Sequence, residues 1–112
     1  MQPVRRAGEV AALFADAGCI AIAAFISPYR EDRDRIRRSL PPSRFVEVYI
    51  NAPIEVCERR DVKGLYAKAR ANQIKEFTGV SSNYEPPLQP EIEVRTDLLT
   101  VQESVTRVLD FL

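Results

Sequence analysis

Hydrophobic and polar positions follow two different periods along the chain, and together they are typical of an α/β protein. Near each end, apolar residues recur at helical spacing. The two sets are Val4, Ala7, Val10, Ala11 and Phe14 near the start, and Val101, Val105, Val108, Leu109 and Leu112 at the end. Gly18 is a helix stop after the first set, and Thr96 with Asp97 offers cap residues before the second. The pattern therefore predicts an amphipathic helix near each end of the chain.

Three short segments between these helices have the character of strands. Residues 19–26 are apolar at every position and are bounded by glycine and by Ser-Pro, which is typical of a parallel strand buried on both faces. Residues 45–50 are rich in β-branched and aromatic side chains, and residues 91–95 alternate between polar and apolar. We therefore expect three strands, followed by polar loops at Ser27, Asn51 and Thr96.

The segments between the predicted strands favour helices. Ser27 and Pro28 suit the N-cap and first position of a charged helix over residues 30–38, whose alternating signs predict a mostly exposed, self-paired surface. A second helix is expected over residues 54–60, followed by a helix-containing surface segment over residues 61–82. Alternating helices and strands predict an α/β fold with a parallel sheet. In such sheets ligands bind at the carboxyl ends of the strands.

Composition narrows the possible partners. The chain has 112 residues, the size of one small domain, and equal numbers of basic and acidic residues, 16 each. Without a basic surplus we expect no nucleic-acid partner. The longest apolar run falls short of the roughly 18 residues that a membrane span needs, so we expect no membrane partner. The start of the chain does not resemble a signal peptide, and we expect a cytoplasmic protein.

The absence of histidine limits the chemistry. Ser-His-Asp triads and histidine-based metal sites are excluded. Cys19 and Cys57 lie in apolar stretches and are predicted to be buried, reduced thiols. An enzyme built from this chain must rely on carboxylates, Lys, Arg, Ser, Thr or Tyr.

A series of short motifs occurs in the order and at the spacing that one protein family shows. The motifs are Phe25-Ile-Ser-Pro-Tyr-Arg30, Asp32-Arg33, Val56-Cys57-Glu58, Arg60-Asp61, Lys63-Gly-Leu-Tyr66, Lys68-Ala-Arg70, Ile74-Lys75, Phe77-Thr-Gly79 and Tyr84-Glu85-Pro86. They cover nearly the whole chain, and by them the chain resembles the adenylylsulfate kinases. A single hexapeptide would be weak support, whereas this succession is specific.

The resemblance implies a fold and a reaction. The fold is a P-loop kinase-type three-layer α/β fold with a parallel sheet, truncated because the P-loop strand is missing. Residues 1–112 would form a partial adenylylsulfate kinase domain whose lid lies at about residues 61–82. The reaction passes the γ-phosphoryl of ATP, with Mg²⁺, to the 3′-hydroxyl of adenosine 5′-phosphosulfate during sulfate assimilation. The implied partners are those two nucleotides, further copies of the chain in a homo-oligomer, and an ATP sulfurylase.

The family's functional residues map onto individual positions of this chain. Ile26 and Ser27 match residues that contact the sulfonucleotide, and the serine has also been regarded as a catalytic phosphoserine intermediate. Lys63 matches a substrate-binding lysine at the start of the lid. Further matches are Glu76 and Phe77, beside the substrate adenine, and Leu99, beside the ATP adenine. Arg60, Lys68 and Arg70 are interpreted as lid charges that face the ATP phosphates.

Simpler interpretations stay open for several of these residues. Ser27 could act only as an N-cap, Phe77 could be a core aromatic, and the lid charges could form a solvated helix face.

Departures from the family pattern bear on activity. The 112 residues contain no Gly-rich loop with Lys and Ser/Thr, no Asp-Gly-Asp stretch and no evident metal ligand, and Pro3 replaces a substrate-binding asparagine. We therefore expect the isolated chain to be inactive. We also expect an exposed apolar patch or an oligomer interface where the absent strand and its helix would lie. The alternative function is a non-catalytic remnant that binds nucleotide or only dimerises.

Overall fold

The helical periodicities at both ends are confirmed by the computed structural model, which describes residues 2–61, 63–73, 78 and 83–112. Along these residues the elements are helix α1 (Gln2–Asp16), helix α2 (Arg30–Arg38), strand β1 (Val48–Asn51), helix α3 (Ile54–Arg60), helix α4 (Leu65–Arg70), strand β2 (Ile92–Arg95) and helix α5 (Val101–Phe111). The chain divides into two units, Met1–Phe45 and Val46–Leu112, and each is described by itself. No described helix is both long enough and apolar enough to cross a bilayer.

The first unit is built on contact between α1 and α2. Gly8 on α1 faces Ile36 on α2 so closely that an added Cβ would lie 2.8 Å from the Ile36 Cδ1 atom. Glycine is therefore needed for the two helices to approach at this point. As predicted, α1 stops before Gly18, which adopts a left-handed φ of 93°. The adjacent Cys19 N–H donates to the Phe14 carbonyl oxygen at 3.0 Å and closes the helix end.

The strand predicted over residues 19–26 is wrong for this chain. These residues have no regular secondary structure and every one of them is exposed, with Ile20 and Ile22 at 81% and 89%. A strand that is apolar on both faces needs a neighbour at its edges and cover on its faces. No strand among the described residues pairs with this segment. An apolar patch is exposed here in the single chain, as expected of either a free surface or an oligomer interface, whereas the expectation that Cys19 is buried is wrong.

The second unit contains a small parallel sheet, as predicted. Strands β1 and β2 pair in parallel, with Val48 opposite Ile92 and Asn51 opposite Arg95. On β2 the side chains alternate, so that Ile92 and Val94 are buried while Glu93 is exposed. Val94 is fully buried, at 0% exposure, and is the centre of this core. The strand alternation predicted over residues 91–95 is therefore confirmed, and the fold is α/β with a small parallel sheet.

Helix α5 begins later than expected. Thr100, and not Thr96 or Asp97, is its N-cap, because the Thr100 hydroxyl accepts the Glu103 N–H at 3.1 Å. The Glu103 carboxylate in turn accepts the Thr100 N–H at 2.8 Å, which completes a capping box. Arg107 ties the helix to β2 by donating to the Glu93 carbonyl oxygen at 2.8 Å. Its apolar stripe is left largely exposed; it consists of Val101, Val105, Leu109 and Leu112.

Candidate functional site

Ser27 follows the exposed apolar run in the first unit, and its surroundings differ from the predicted ones. Its hydroxyl oxygen is buried and has no hydrogen-bond partner among the described residues. The expected N-cap role is wrong: Tyr29 occupies the N-cap position of α2, two residues further on, without a side-chain cap. The Ser27 carbonyl oxygen accepts a hydrogen bond from the Arg33 guanidinium. Ile26, the other residue matched to the sulfonucleotide, is exposed.

Helix α2 is less exposed than its charge pattern predicts. Self-pairing is present on one side, where the Glu31 carboxylate lies 3.8 Å from Arg35 and 3.2 Å from Arg38. On the other side Asp32 and Arg33 are buried, each at 9% exposure. The signal that could have revealed them is helical spacing, since both lie one turn from Ile36, the helix's large aliphatic residue.

In the second unit, Lys63 lies in a tight connection between α3 and α4. The Asp61 carboxylate, two residues before it, accepts the backbone N–H groups of Tyr66 at 2.9 Å and Ala67 at 3.1 Å. Gly64 completes the turn with a left-handed φ of 68°. The Lys63 side chain is exposed, so it can reach a ligand from a connection that is anchored at both ends. Sequence reasoning missed Asp61.

Helix α4 is attached to α3 by two further contacts. Burial raises the pKa of the Tyr66 phenol, and electrostatic interaction and a hydrogen bond with the neighbouring Cys57 side chain add to the increase. Arg70 lies against Glu58, with guanidinium–carboxylate distances of 2.5 Å and 3.4 Å. This hydrogen bond and the carboxylate charge also raise the pKa of Arg70. The start of the predicted lid is thus held to α3 by side chains.

The three predicted lid charges have different surroundings. Arg60 donates to the Thr96 carbonyl oxygen at 2.6 Å, just after β2. Arg70 is engaged by Glu58, and Lys68 is exposed. Contact of these residues with ATP phosphate stays a prediction, and for the two arginines it requires release from their present partners.

The turn after β2 carries Leu99, the residue matched to the ATP adenine. Leu99 is half-buried, and its N–H donates to the Arg95 carbonyl oxygen at 3.0 Å. Arg95 also binds Asp97 through two hydrogen bonds of 2.9 Å and 2.7 Å. The guanidinium holds the pKa of the Asp97 carboxyl below its ordinary value. At the end of β1, Asn51 donates its side-chain amide to Glu93 at 2.7 Å.

Two predicted residues, Glu76 and Phe77, lie outside the described residues. The described part of the chain contains no group of three or more Cys, Asp or Glu side chains placed to hold a metal ion. The cationic donors Lys63, Arg60 and Arg70 suit anionic phosphate and sulfate groups better than a metal.

The fold and these residues place the chain among α/β proteins that match part of the P-loop kinase fold. The APS kinase CysC of Mycobacterium tuberculosis, solved in complex with AMPPNP and APS, superposes with a TM-score of 0.90 at 38% identity, over 98% of this chain and 64% of that one. The sequence model of the family described as Adenylylsulphate kinase matches residues 1–95. The chain belongs to the adenylylsulfate kinase family.

Curated relatives agree with this assignment and show how much of a kinase the chain spans. The adenylyl-sulfate kinase of Staphylococcus haemolyticus is 55% identical over 109 residues, which cover 97% of this chain and 55% of the relative. The adenylyl-sulfate kinase of Acaryochloris marina is 53% identical over all 112 residues, again 55% of the relative. The chain thus spans about half the length of the curated relatives it matches.

Proposed function

We propose that residues 1–112 are the C-terminal part of an adenylylsulfate kinase domain, with a lid at about residues 61–82. The complete enzyme passes the γ-phosphoryl of MgATP to the 3′-hydroxyl of adenosine 5′-phosphosulfate in sulfate assimilation. The observation that carries the proposal is the match over 98% of the chain to an APS kinase solved with AMPPNP and APS. In that setting the chain is cytoplasmic, forms a homo-oligomer and acts beside an ATP sulfurylase.

In this function the chain carries the sulfonucleotide site and the lid. Ile26 and Ser27 contact the sulfonucleotide, Lys63 binds one of its anionic groups, and Glu76 and Phe77 border its adenine. Leu99 borders the ATP adenine. The remaining lid charges, Arg60, Lys68 and Arg70, face the ATP phosphates once the lid has closed. Such placement suits phosphoryl transfer, which depends on positioning and on positive charge around the transferred group.

The chain's own residues account for only part of the reaction. Lys63 and the lid arginines can neutralise charge and exclude water on closure. When MgATP is bound, the metal neutralises charge on the phosphates, and the family's Gly-rich loop, which these 112 residues lack, holds them. The complete three-layer fold therefore needs a segment that carries this loop and its strand. The exposed apolar surfaces of residues 19–26 and of α5 support this, because both have the composition of buried elements.

The test is a chimera in which the N-terminal half of the Staphylococcus haemolyticus kinase precedes residues 1–112. We expect the chimera to form the phosphorylated sulfonucleotide in a coupled assay, and the 112-residue chain alone to show no turnover. A folded chimera without activity would contradict the proposed function. Turnover by the chain alone would contradict only the expectation that these 112 residues are inactive without the Gly-rich loop.

Two roles are possible for Ser27, and one labelling experiment distinguishes them. We propose that it contacts the sulfonucleotide during direct transfer, and the alternative is a phosphoserine intermediate. Incubation of the chimera with ATP labelled on the γ-phosphate, without the second substrate, should leave the protein unlabelled. Label that Ser27→Ala removes would favour the covalent route.

A second candidate function is a non-catalytic remnant that binds nucleotide or dimerises with an intact kinase. It would apply if no segment with a Gly-rich loop accompanies these 112 residues. Calorimetric titration of the chain with adenosine 5′-phosphosulfate tests it. Saturable binding by the chain, together with an inactive chimera, would favour the remnant over the kinase.

A further inference from the structure

Arg33 is the most unusual residue of helix α2. It is buried to 9% exposure, although the helix is charged at eight of its nine positions. Arginine is seldom buried unless its guanidinium is engaged, because taking the charge out of water is costly. Here the guanidinium donates to the carbonyl oxygen of Ser27, six residues earlier in the chain.

The face of α2 that carries Arg33 also packs against α1. Ile36, one turn after Arg33, packs against Gly8 of α1 at a distance that leaves no room for a Cβ. Ile36 and Arg33 share one face of α2, so the packing against Gly8 turns that face toward α1. The segment that Arg33 reaches has no regular secondary structure, so no strand ladder positions Ser27.

The Ser27 hydroxyl is the second observation that singles out this contact. It is buried and has no hydrogen-bond partner among the described residues. A buried hydroxyl that gains no hydrogen bond is costly, and such groups are uncommon in proteins. The cost is compensated if a ligand supplies the missing partner, which is the role that the proposed function gives to Ser27.

We propose that Arg33 is a positioning residue for the sulfonucleotide site, acting on the ligand only through Ser27. By holding the Ser27 carbonyl oxygen, the guanidinium fixes the backbone that carries the hydroxyl and presents it to the nucleotide. The proposal rests on the proposed function, since it takes the sulfonucleotide as the ligand of Ser27. Arg33 itself does not contact substrate, which distinguishes it from the lid arginines.

The kinetic test uses the chimera with Arg33→Gln and with Arg35→Gln as matched control. Arg35 lies on the same helix, is exposed and pairs with Glu31. We expect Arg33→Gln to raise KM for adenosine 5′-phosphosulfate about tenfold and to leave KM for ATP within about twofold, because a small displacement of a ligand contact is felt only by its own substrate. Arg35→Gln should change neither, and Arg33→Lys should recover part of the loss.

A double-mutant cycle shows whether Arg33 acts through Ser27. In the Ser27→Ala background, Arg33→Gln should raise KM for the sulfonucleotide no further, because the hydroxyl that Arg33 positions is gone. Additive effects of the two substitutions would overturn the proposal. Equal changes in both KM values would also overturn it, since they indicate a general loss of structure.

Hydrogen exchange of the 112-residue chain provides a readout that needs no activity. The Ser27 and Tyr29 amides should exchange about tenfold faster in Arg33→Gln and at an unchanged rate in Arg35→Gln. Unchanged exchange in Arg33→Gln would overturn the proposal. An inactive parent chimera would count against the proposed function alone, since exchange still decides whether Arg33 holds the Ser27 segment.

Discussion

Residues 19–29 and residues 92–99 have similar sequence patterns but different structures. Each begins with a segment that predicts a strand and ends in a polar loop with candidate ligand contacts. Residues 92–95 form β2 because β1 pairs with them and α5 packs on them. Among the residues that the structure describes, none pairs with residues 19–26 as a strand, and residues 19–26 are all exposed. The difference shows that an apolar run specifies a strand only when the rest of the fold provides its neighbours.

The loops that follow the two segments also differ in how they are held. After β2, backbone hydrogen bonds from Leu98 and Leu99 to Arg95, together with the Arg95–Asp97 pair, hold the turn. After residue 26, Arg33 reaches back from a neighbouring helix to hold the Ser27 carbonyl oxygen. A loop that follows a formed strand is positioned locally, whereas one that follows an unformed strand depends on a more distant side chain.

The largest expected effect is on hydrogen exchange at residues 20–26, when the N-terminal half of the kinase supplies strands and helices that can pack against them. In the chimera, amides of residues 20–26 should exchange at least about a hundredfold more slowly than in the 112-residue chain, because a formed strand buries them and pairs their N–H groups. Amides of β2 should change far less. Hydrogen exchange with peptide mass analysis measures both. Fast exchange at residues 20–26 in an active chimera would show that these residues do not form a strand even when the N-terminal half is present.

Next in size is the effect of removing the lysine on the anchored turn of the second unit. In the chimera, Lys63→Ala should cost about 1.5–3 kcal/mol of transition-state binding, about 10- to 150-fold in kcat/KM, through loss of a charge-assisted contact. Arg35→Ala on α2 is the control, because Arg35 is exposed and its guanidinium lies 3.8 Å from Glu31 on the same helix. Small, equal losses from both would mean that the lid does not touch ligand.

Truncation of one apolar side chain in each segment compares the two directly. Val94→Ala should lower the free energy of unfolding by about 2 kcal/mol, because Val94 is fully buried in the small core. Ile22→Ala should change it by less than about 0.5 kcal/mol, because Ile22 is 89% exposed. Urea denaturation of the 112-residue chain measures both. A loss at Ile22 comparable to that at Val94 would show that residues 19–26 are packed in solution.

The smallest effect concerns the pair that secures the turn after β2. The hydrogen bonds from Arg95 hold the pKa of Asp97 below its ordinary value, so the pair stabilises the folded chain above about pH 4. This contribution should be lost as the pH falls through the lowered pKa. Comparison of wild type with Asp97→Asn between pH 2 and pH 6 isolates it, with a difference in stability that shrinks toward pH 2. A difference in stability that is independent of pH would show that the Arg95–Asp97 ion pair does not stabilise the folded chain.

Part of the candidate site could be predicted from the sequence because local motifs carry it. The motif at Ser27 and the one at Lys63 are contiguous in the chain, so the resemblance identified them without any knowledge of the fold. The residues that hold these segments were missed. Arg33 lay within a predicted exposed helix, and Asp61 was read only as part of a motif, since neither role is visible until the chain has turned back on itself.

For the fold, the sequence by itself determined the elements whose pattern is local. The helical spacing of α1, the alternation of β2 and the stripe of α5 each specify an element within one stretch of chain. Only the tertiary structure decided that no described strand pairs with residues 19–26 and that Arg60 binds the Thr96 carbonyl oxygen. The physical reason is that strand pairing, burial and a hydrogen bond such as the one from Arg60 to Thr96 depend on residues far apart in sequence, whereas helical and strand periodicity does not.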